Sequence, residues 1–171
     1  MRNKMKILIF ATFAVVLTLS LMFVLAPPNS AANESHKADL TGYEEVPAIS
    51  STGTGSLRLK VDELNETIDY EISYENLEGT TTTASHIHLG QRSVNGGVIA
   101  FFCGGGGRPA CTPGSGTFSG TITAADIIGP AAQGLAAGEF SEVVRALRAG
   151  QIYANVHTNK HPGGEIRGQV K

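Results

Sequence analysis

Two stretches of strict alternation between apolar and polar residues limit most strongly what this chain can fold into. Residues 56–62 (SLRLKVD) and 67–75 (TIDYEISYE) each repeat with a period of two, which is typical of strands that bury one face and expose the other. The short connection at 62–66 is of hairpin length, so the two strands are predicted to pair antiparallel. Further strands are predicted at 38–46, 84–90, 97–103, 115–122, 151–157 and 164–170, separated by segments rich in Gly, Pro, Asn and Thr.

One segment has the period of a helix instead. Phe140, Val143, Val144 and Leu147 recur at helical spacing across Glu139–Arg148, and a glycine two residues later supplies a stop. Seven or eight short strands with one short helix predict an all-β fold, either an antiparallel β-sandwich or a flattened barrel.

The N-terminus has the pattern of an export signal. Three positive charges in the first six residues precede an uncharged, mostly apolar run at 7–26, and small residues follow at 30–32. Residues 1–32 are therefore predicted to be a signal peptide. Because 20 residues are also close to the length that spans a bilayer, an uncleaved membrane anchor is the alternative. Either way the protein is predicted to be secreted or held at the cell surface, with 33–37 as a tether and 38–171 as one domain.

Charge and cysteine content narrow the function further. Without residues 1–32 the chain keeps ten Lys and Arg against 15 Asp and Glu, so no basic surface for a nucleic-acid partner is expected. The only two cysteines, Cys103 and Cys111, are predicted to form a local disulfide, since exported cysteines usually pair. A reactive dithiol is the alternative, although the spacing is not that of a C-x-x-C motif.

Four of the five histidines lie in two short motifs. His86 and His88 are two residues apart in a predicted strand, so both side chains point to one face. His157 ends another strand on the face opposite its apolar residues, and His161 lies in the loop that follows. If these strands are neighbours, three imidazoles converge with His161 in reach, a ligand set for copper, zinc, iron or nickel. The alternative is that the histidines are polar residues of a wet face, bonded to nearby loops.

The last predicted strand carries a second group of polar residues. Glu165, Arg167 and Gln169 share one face, opposite Ile166 and Val170. Glu165 and Arg167 are predicted to form a surface ion pair, and the alternative role of Arg167 is to hold or steer an anion beside a metal with its planar donor fork. The sequence contains no nucleophile elbow and no phosphate-binding loop.

Motifs across nearly the whole domain place this chain near a known family. They are 40–47 (LTGYEEVP), 84–90 (ASHIHLG) followed by Asn95-Gly96, 146–150 (ALRAG) leading into 153–158 (YANVHT), and 162–169 (PGGEIRGQ). In this order they resemble the CHRD domain, named after chordin, an extracellular inhibitor of bone morphogenetic proteins. The resemblance implies an immunoglobulin-like β-barrel with limited similarity to copper–zinc superoxide dismutase.

The resemblance also implies roles for individual residues. His86 and His88 look like the H-x-H copper pair of the dismutase, His157 looks like its later copper ligand, and Arg167 looks like its substrate-guiding arginine. The bridging histidine and the zinc loop of the dismutase have no counterpart here.

Two classes of function therefore stand as expectations. The first is an exported binding module that contacts an extracellular protein or surface partner, with histidines that are structural or bind metal weakly. The second is a copper protein, either a dismutase-like oxidoreductase or a protein that buffers or delivers copper, with His161 as a fourth ligand or a group behind the ligands.

Overall fold

The computed structural model of the chain describes residues 34–171, and in this range eight strands form one antiparallel sheet. The predicted signal peptide lies outside the described residues. The strands are β1 (Glu34–Thr41), β2 (Thr54–Asp62), β3 (Thr67–Glu75), β4 (Thr82–Leu89), β5 (Val98–Cys103), β6 (Gly116–Thr123), β7 (Ile152–Thr158) and β8 (Ile166–Gln169). The prediction of an all-β antiparallel fold is confirmed.

The sheet curls into a flattened, nearly closed barrel. Its strand order is β5-β4-β7-β8-β1-β2-β3-β6, and the two end strands approach each other. Arg108 helps to close this gap: its guanidinium donates to the carbonyl of Thr121, at the β6 end, at 2.9 Å and pairs with Asp126 at 3.0 Å. Bringing the ends together protects the strand edges from pairing with other chains.

The alternating stretches form the predicted hairpin. β2 and β3 pair along their whole length, with Leu57 opposite Ile72 and Leu59 opposite Tyr70. These four side chains are buried in the core, whereas the residues between them are mostly exposed. The alternation in the sequence therefore predicted correctly which residues of this hairpin face the core and which face solvent.

A single α-helix, α1 (Phe140–Arg148), lies among the described residues. Its buried residues are the four apolar ones that predicted it, and they join the barrel core. Gly150, just past its end, has φ of 65°, a left-handed backbone that favours glycine. No helix in the described part of the chain has the length and apolar character needed to cross a membrane.

The first strand differs from the prediction in both bounds. β1 begins at Glu34, so residues 34–37, predicted as a tether, pair with β2. It ends at Thr41 rather than at residue 46, and a 3-10 turn (Gly42–Glu44) follows. The chain must turn there because the backbone of Ile49 crosses Gly42: a Cβ on Gly42 would lie 2.3 Å from the Ile49 carbonyl oxygen.

Candidate metal centre

Strands β4 and β7 are neighbours, as the convergence of the histidines requires. In their antiparallel register His86 lies opposite Asn155 and His88 opposite Tyr153. Ile87 and Ala154 point into the core and are fully buried. The histidines therefore project from the opposite face of the sheet, as predicted.

Three imidazoles meet on this face. The ring centroids of His86 and His88 are 4.5 Å apart, and those of His86 and His157 are 4.6 Å apart. One ring nitrogen from each residue lies within 4.8 Å of the other two. Nitrogens bound to one tetrahedral metal ion at 2.0–2.1 Å would be about 3.4 Å apart. The three nitrogens would therefore have to approach one another by at most about 1.4 Å to bind one ion.

Two backbone carbonyls fix the protonation of two of these rings. Nδ1 of His88 lies 2.8 Å from the carbonyl oxygen of Gly96, and Nδ1 of His157 lies 2.9 Å from that of Pro162. A carbonyl only accepts, so in each neutral ring Nδ1 carries the proton and Nε2 carries the lone pair. Hydrogen bonds of this kind orient metal-binding histidines.

The remaining nitrogens have few partners. Nδ1 of His86 and Nε2 of His157 are buried without a hydrogen bond in the protein, an arrangement that costs stability. Nε2 of His88 lies 3.0 Å from the side-chain oxygen Oδ1 of Asn155. An amide oxygen cannot donate to the lone pair of Nε2, so a hydrogen bond here requires the side-chain amide of Asn155 to be turned with its NH₂ group toward the ring.

The surroundings keep the three rings neutral. Burial, with smaller effects from the neighbouring His88 and His157, lowers the pKa of His86 to about 2. Burial lowers the pKa of His88 to about 4 and moves the pKa of His157 below its usual value. Neutral imidazole is the form that binds metal ions.

The fourth predicted ligand, His161, is not part of this cluster. It lies in the β7–β8 loop and lines a separate small cavity with Glu45 and Lys160. The structure therefore brings together three of the four predicted metal ligands and leaves the fourth beside them.

Arg167 lies inside the protein, where it does not fit the role of an anion guide. It is 1% exposed, and its guanidinium donates to the side chain of Asn95 at 3.0 Å and to the carbonyls of Gln91 and Val94 at 3.2 and 2.9 Å. It also stacks 3.4 Å from the ring centroid of Tyr153. Burial and these contacts leave the guanidinium no exposed face with which to draw an anion.

The prediction of a surface ion pair between Glu165 and Arg167 is wrong, because both side chains are buried. Glu165 accepts hydrogen bonds from the hydroxyls of Ser51 and Thr158 at 2.7 and 2.6 Å, and from the backbone N–H groups of Glu78 and Gly79 at 2.6 and 3.4 Å. Burial acts to raise its pKa, but these bonds together hold the pKa of Glu165 below its usual value. Loops covering the outer face of β8 supply these partners, so the polar residues of this strand are not solvated.

The predicted disulfide is confirmed and lies next to the histidines. Cys103 and Cys111 are bonded, with Cα atoms 5.1 Å apart. The loop they close passes over Phe101, since a Cβ on Gly105 would lie 2.5 Å from that ring. Phe101 in turn meets the ring of His86 edge-on, at 4.9 Å between centroids. The glycine-rich loop therefore covers one side of the cluster.

Sequence reasoning missed the groups that hold the rings in place. Gly96 and Pro162 act through backbone carbonyls, which no side-chain pattern identifies. Asn155 was placed on the correct face, but its contact with His88 was not predicted. Phe101 belongs to a predicted strand without any sign that it would cover a histidine.

Fold and site together define a class: an antiparallel β-barrel domain with a cluster of two buried histidines and one half-buried histidine, and a disulfide beside it. The chain matches the model of the CHRD domain over residues 36–170 and belongs to that family. CHRD domains are extracellular, and the disulfide is consistent with a place outside the cytoplasm. No curated protein matches the chain, and no solved structure matches it.

Proposed function

We propose that this protein is an extracytoplasmic metal-binding domain that holds a transition-metal ion, copper foremost, with His86, His88 and His157. The observation that carries this proposal is the state of the ring nitrogens. Carbonyls fix two of the rings with Nε2 unprotonated, and two buried nitrogens in the cluster have no partner in the protein. Other buried polar atoms of the described residues also lack a partner, but only in this cluster do two such nitrogens converge with a third imidazole, and a bound metal ion would satisfy them.

The donor set supports the choice of metal. Imidazole suits copper, zinc, iron and nickel, whereas magnesium and calcium prefer oxygen ligands. Both cysteines are in the disulfide, so no thiolate competes for the ion. When bound, copper would be held by three neutral nitrogens within the rigid β4–β7 ladder.

Buffering or delivery of the metal fits the site better than dismutation does. A superoxide dismutase draws its anionic substrate to the metal with an exposed positive group, and Arg167 is buried with its donors in use. We therefore propose that the site binds copper without turnover. The extracellular partner to which copper would pass stays a prediction.

The experiment is a comparison of copper uptake by the purified wild-type protein and two variants. His86→Ala removes one ring of the cluster, and His36→Ala removes a histidine of β1 as a matched control. We expect stoichiometric copper in the wild type and in His36→Ala, and a loss of at least about 100-fold in affinity in His86→Ala. Isothermal titration measures the affinity, and circular dichroism verifies folding. Folded wild-type protein that takes up no copper, or equal binding by His86→Ala, would contradict the proposal.

A further inference from the structure

The histidine cluster contains no negative charge. Among the described residues, the side chains whose possible ligand atoms lie together within 4.8 Å are His86, His88 and His157, and no carboxylate joins them. The groups that fix the rings from behind are the carbonyls of Gly96 and Pro162, which are also neutral. In many zinc sites a carboxylate takes this outer position and balances part of the metal charge.

A positive charge lies one ring away from the cluster. Tyr153 stacks on His88 with 4.5 Å between centroids and 4° between planes, and the guanidinium of Arg167 lies over the same tyrosine at 3.4 Å. The stack of His88, Tyr153 and Arg167 therefore places a guanidinium one aromatic ring away from a proposed metal ligand. The positive charge of Arg167 therefore opposes the binding of a metal cation to the histidines.

The acid that approaches the cluster does not reverse this balance. Glu45 is buried, and its carboxyl interacts with Arg167 and with the side chain of Asn155, the residue that contacts His88. Burial raises the pKa of Glu45 to about 7, so it is partly neutral near physiological pH. When it is ionised, the charge of Arg167 offsets it.

The cluster is also shielded from water. His86 and His88 are 6% and 7% exposed, and Phe101 lies edge-on against His86. His157 is half-buried, so solvent contact is greatest at that ring and small at the other two. This limits the water that can balance the charge of a bound ion.

A cluster without negative charge and with little solvent contact favours metal ions of lower charge. The cost of moving an ion from water into a low-dielectric site rises with the square of its charge, so a divalent ion pays about four times as much as a monovalent one. Imidazole does not separate copper from zinc by softness, which leaves charge to discriminate.

We infer that the site is selective for monovalent ions, Cu(I) and its analogue Ag(I), over divalent ions such as Zn(II), and that the neutral side chain at position 155 maintains this selectivity. The inference rests on the proposed function, because it names the charge of the ion that the three histidines take. An aspartate at position 155 would place a carboxylate beside Nε2 of His88 and favour divalent ions. Asn155→Ala removes the amide without adding charge, and is the matched control.

The test compares the affinities of Ag(I) and Zn(II) for the wild type, Asn155→Asp and Asn155→Ala by competition titration. Ag(I) needs no reductant, so the disulfide stays closed, and a thiol assay before and after each titration verifies this. We expect the wild type to bind Ag(I) at least about 100-fold more tightly than Zn(II). Asn155→Asp should narrow this ratio by about 100-fold through tighter Zn(II) binding, and Asn155→Ala should leave the ratio within about threefold.

The possible outcomes separate the two proposals. Zn(II) binding as tight as Ag(I) binding in the wild type would overturn the inference and leave the metal site standing. So would equal shifts of the ratio in the aspartate and alanine variants. Absence of binding by either ion to the folded wild type would overturn the proposed function itself. If Asn155→Asp does not fold, the ratio measured for the wild type decides alone.

Discussion

Two polar clusters lie at the β7–β8 region, one around Glu165 and one formed by three histidines, and they differ in how completely the protein satisfies their hydrogen-bonding atoms. In the first, the carboxylate of Glu165 accepts four hydrogen bonds from hydroxyls and backbone N–H groups. In the second, formed by His86, His88 and His157, two ring nitrogens have no partner. A saturated cluster holds the structure together, whereas an unsaturated one leaves lone pairs for a ligand.

The difference arises from the partners that each strand face meets. The loop after β3 brings the N–H groups of Glu78 and Gly79 against Glu165 and ties this loop to the end of β7. Around the histidines the nearest groups are other imidazoles, the rings of Phe101 and Tyr153, the side chain of Asn155 and two carbonyls. Acceptors there can orient a ring through one nitrogen but cannot satisfy the lone pair of the other.

The largest expected loss of stability comes from removing the carboxylate of the saturated cluster. Glu165→Ala leaves several buried donors without an acceptor, so we expect the free energy of unfolding to fall by about 3–4 kcal/mol. Urea denaturation measures this loss. Glu75→Ala, at an exposed position of β3, is the control and should change stability by less than about 0.5 kcal/mol. A loss below about 1 kcal/mol for Glu165→Ala would mean that the cluster is not the structural one.

A smaller effect is expected from acidifying the metal-free protein. The pKa values of His86 and His88 are about 2 and 4 in the folded state and about 6.5 in the unfolded chain. Below pH 6.5 the unfolded chain therefore binds protons that the folded protein does not. Their contribution to stability is fully present above about pH 6.5 and falls as the pH drops toward 4, by up to about 1.4 kcal/mol per unit for each histidine.

Glu45 acts in the opposite sense, which makes the test more specific. Its pKa is raised to about 7, so its contribution is present below its unfolded value of about 4.3 and is lost as the pH rises toward 7. In this pH range the change in stability due to Glu45 therefore offsets the change due to one histidine. Denaturation midpoints between about pH 6.5 and 4.5 should fall in the wild type and fall less steeply in His86→Ala. Identical slopes in the two proteins would show that the buried rings do not resist protonation.

The smallest expected effect concerns His161, which lies just outside the unsaturated cluster. His161→Ala removes no ligand from the three-ring group, so we expect copper affinity to fall by less than about tenfold, the lower limit for groups that support metal ligands. Copper titration beside His157→Ala measures the contrast. A loss in His161→Ala as large as in His157→Ala would place His161 among the ligands and enlarge the cluster to four.

Much of the fold followed from local patterns. Strict alternation identified both strands of the β2–β3 hairpin and their faces, and apolar spacing identified α1. The bounds of β1 could not be read in this way, because the turn after Thr41 depends on the close approach of Ile49 to Gly42. The N–H of Ile49 also donates to the carbonyl of Gly42 at 2.8 Å, a backbone contact that no pattern of apolar residues marks.

The site was predictable in part for the same reason. The period of two placed His86 and His88 on one face of β4, and Asn155 and His157 on one face of β7. Each assignment depends only on the residues of its own strand. The period did not predict that β4 and β7 pair, because His88 and Asn155 are 67 residues apart in the chain. The choice of neighbouring strands is a non-local property.

The sequence by itself determined the two faces of the β2–β3 hairpin, the helix, the disulfide and the shared face of His86 and His88, because each depends on residues close together in the chain. Only the tertiary structure decided which polar residues are satisfied. β8 lies between β7 and β1, and loops from distant parts of the chain cover its outer face, so Glu165 and Arg167 are buried where alternation predicted solvent. The same packing set two carbonyls behind the histidines and left their lone pairs free, since backbone groups reach a side chain only once the fold has placed them.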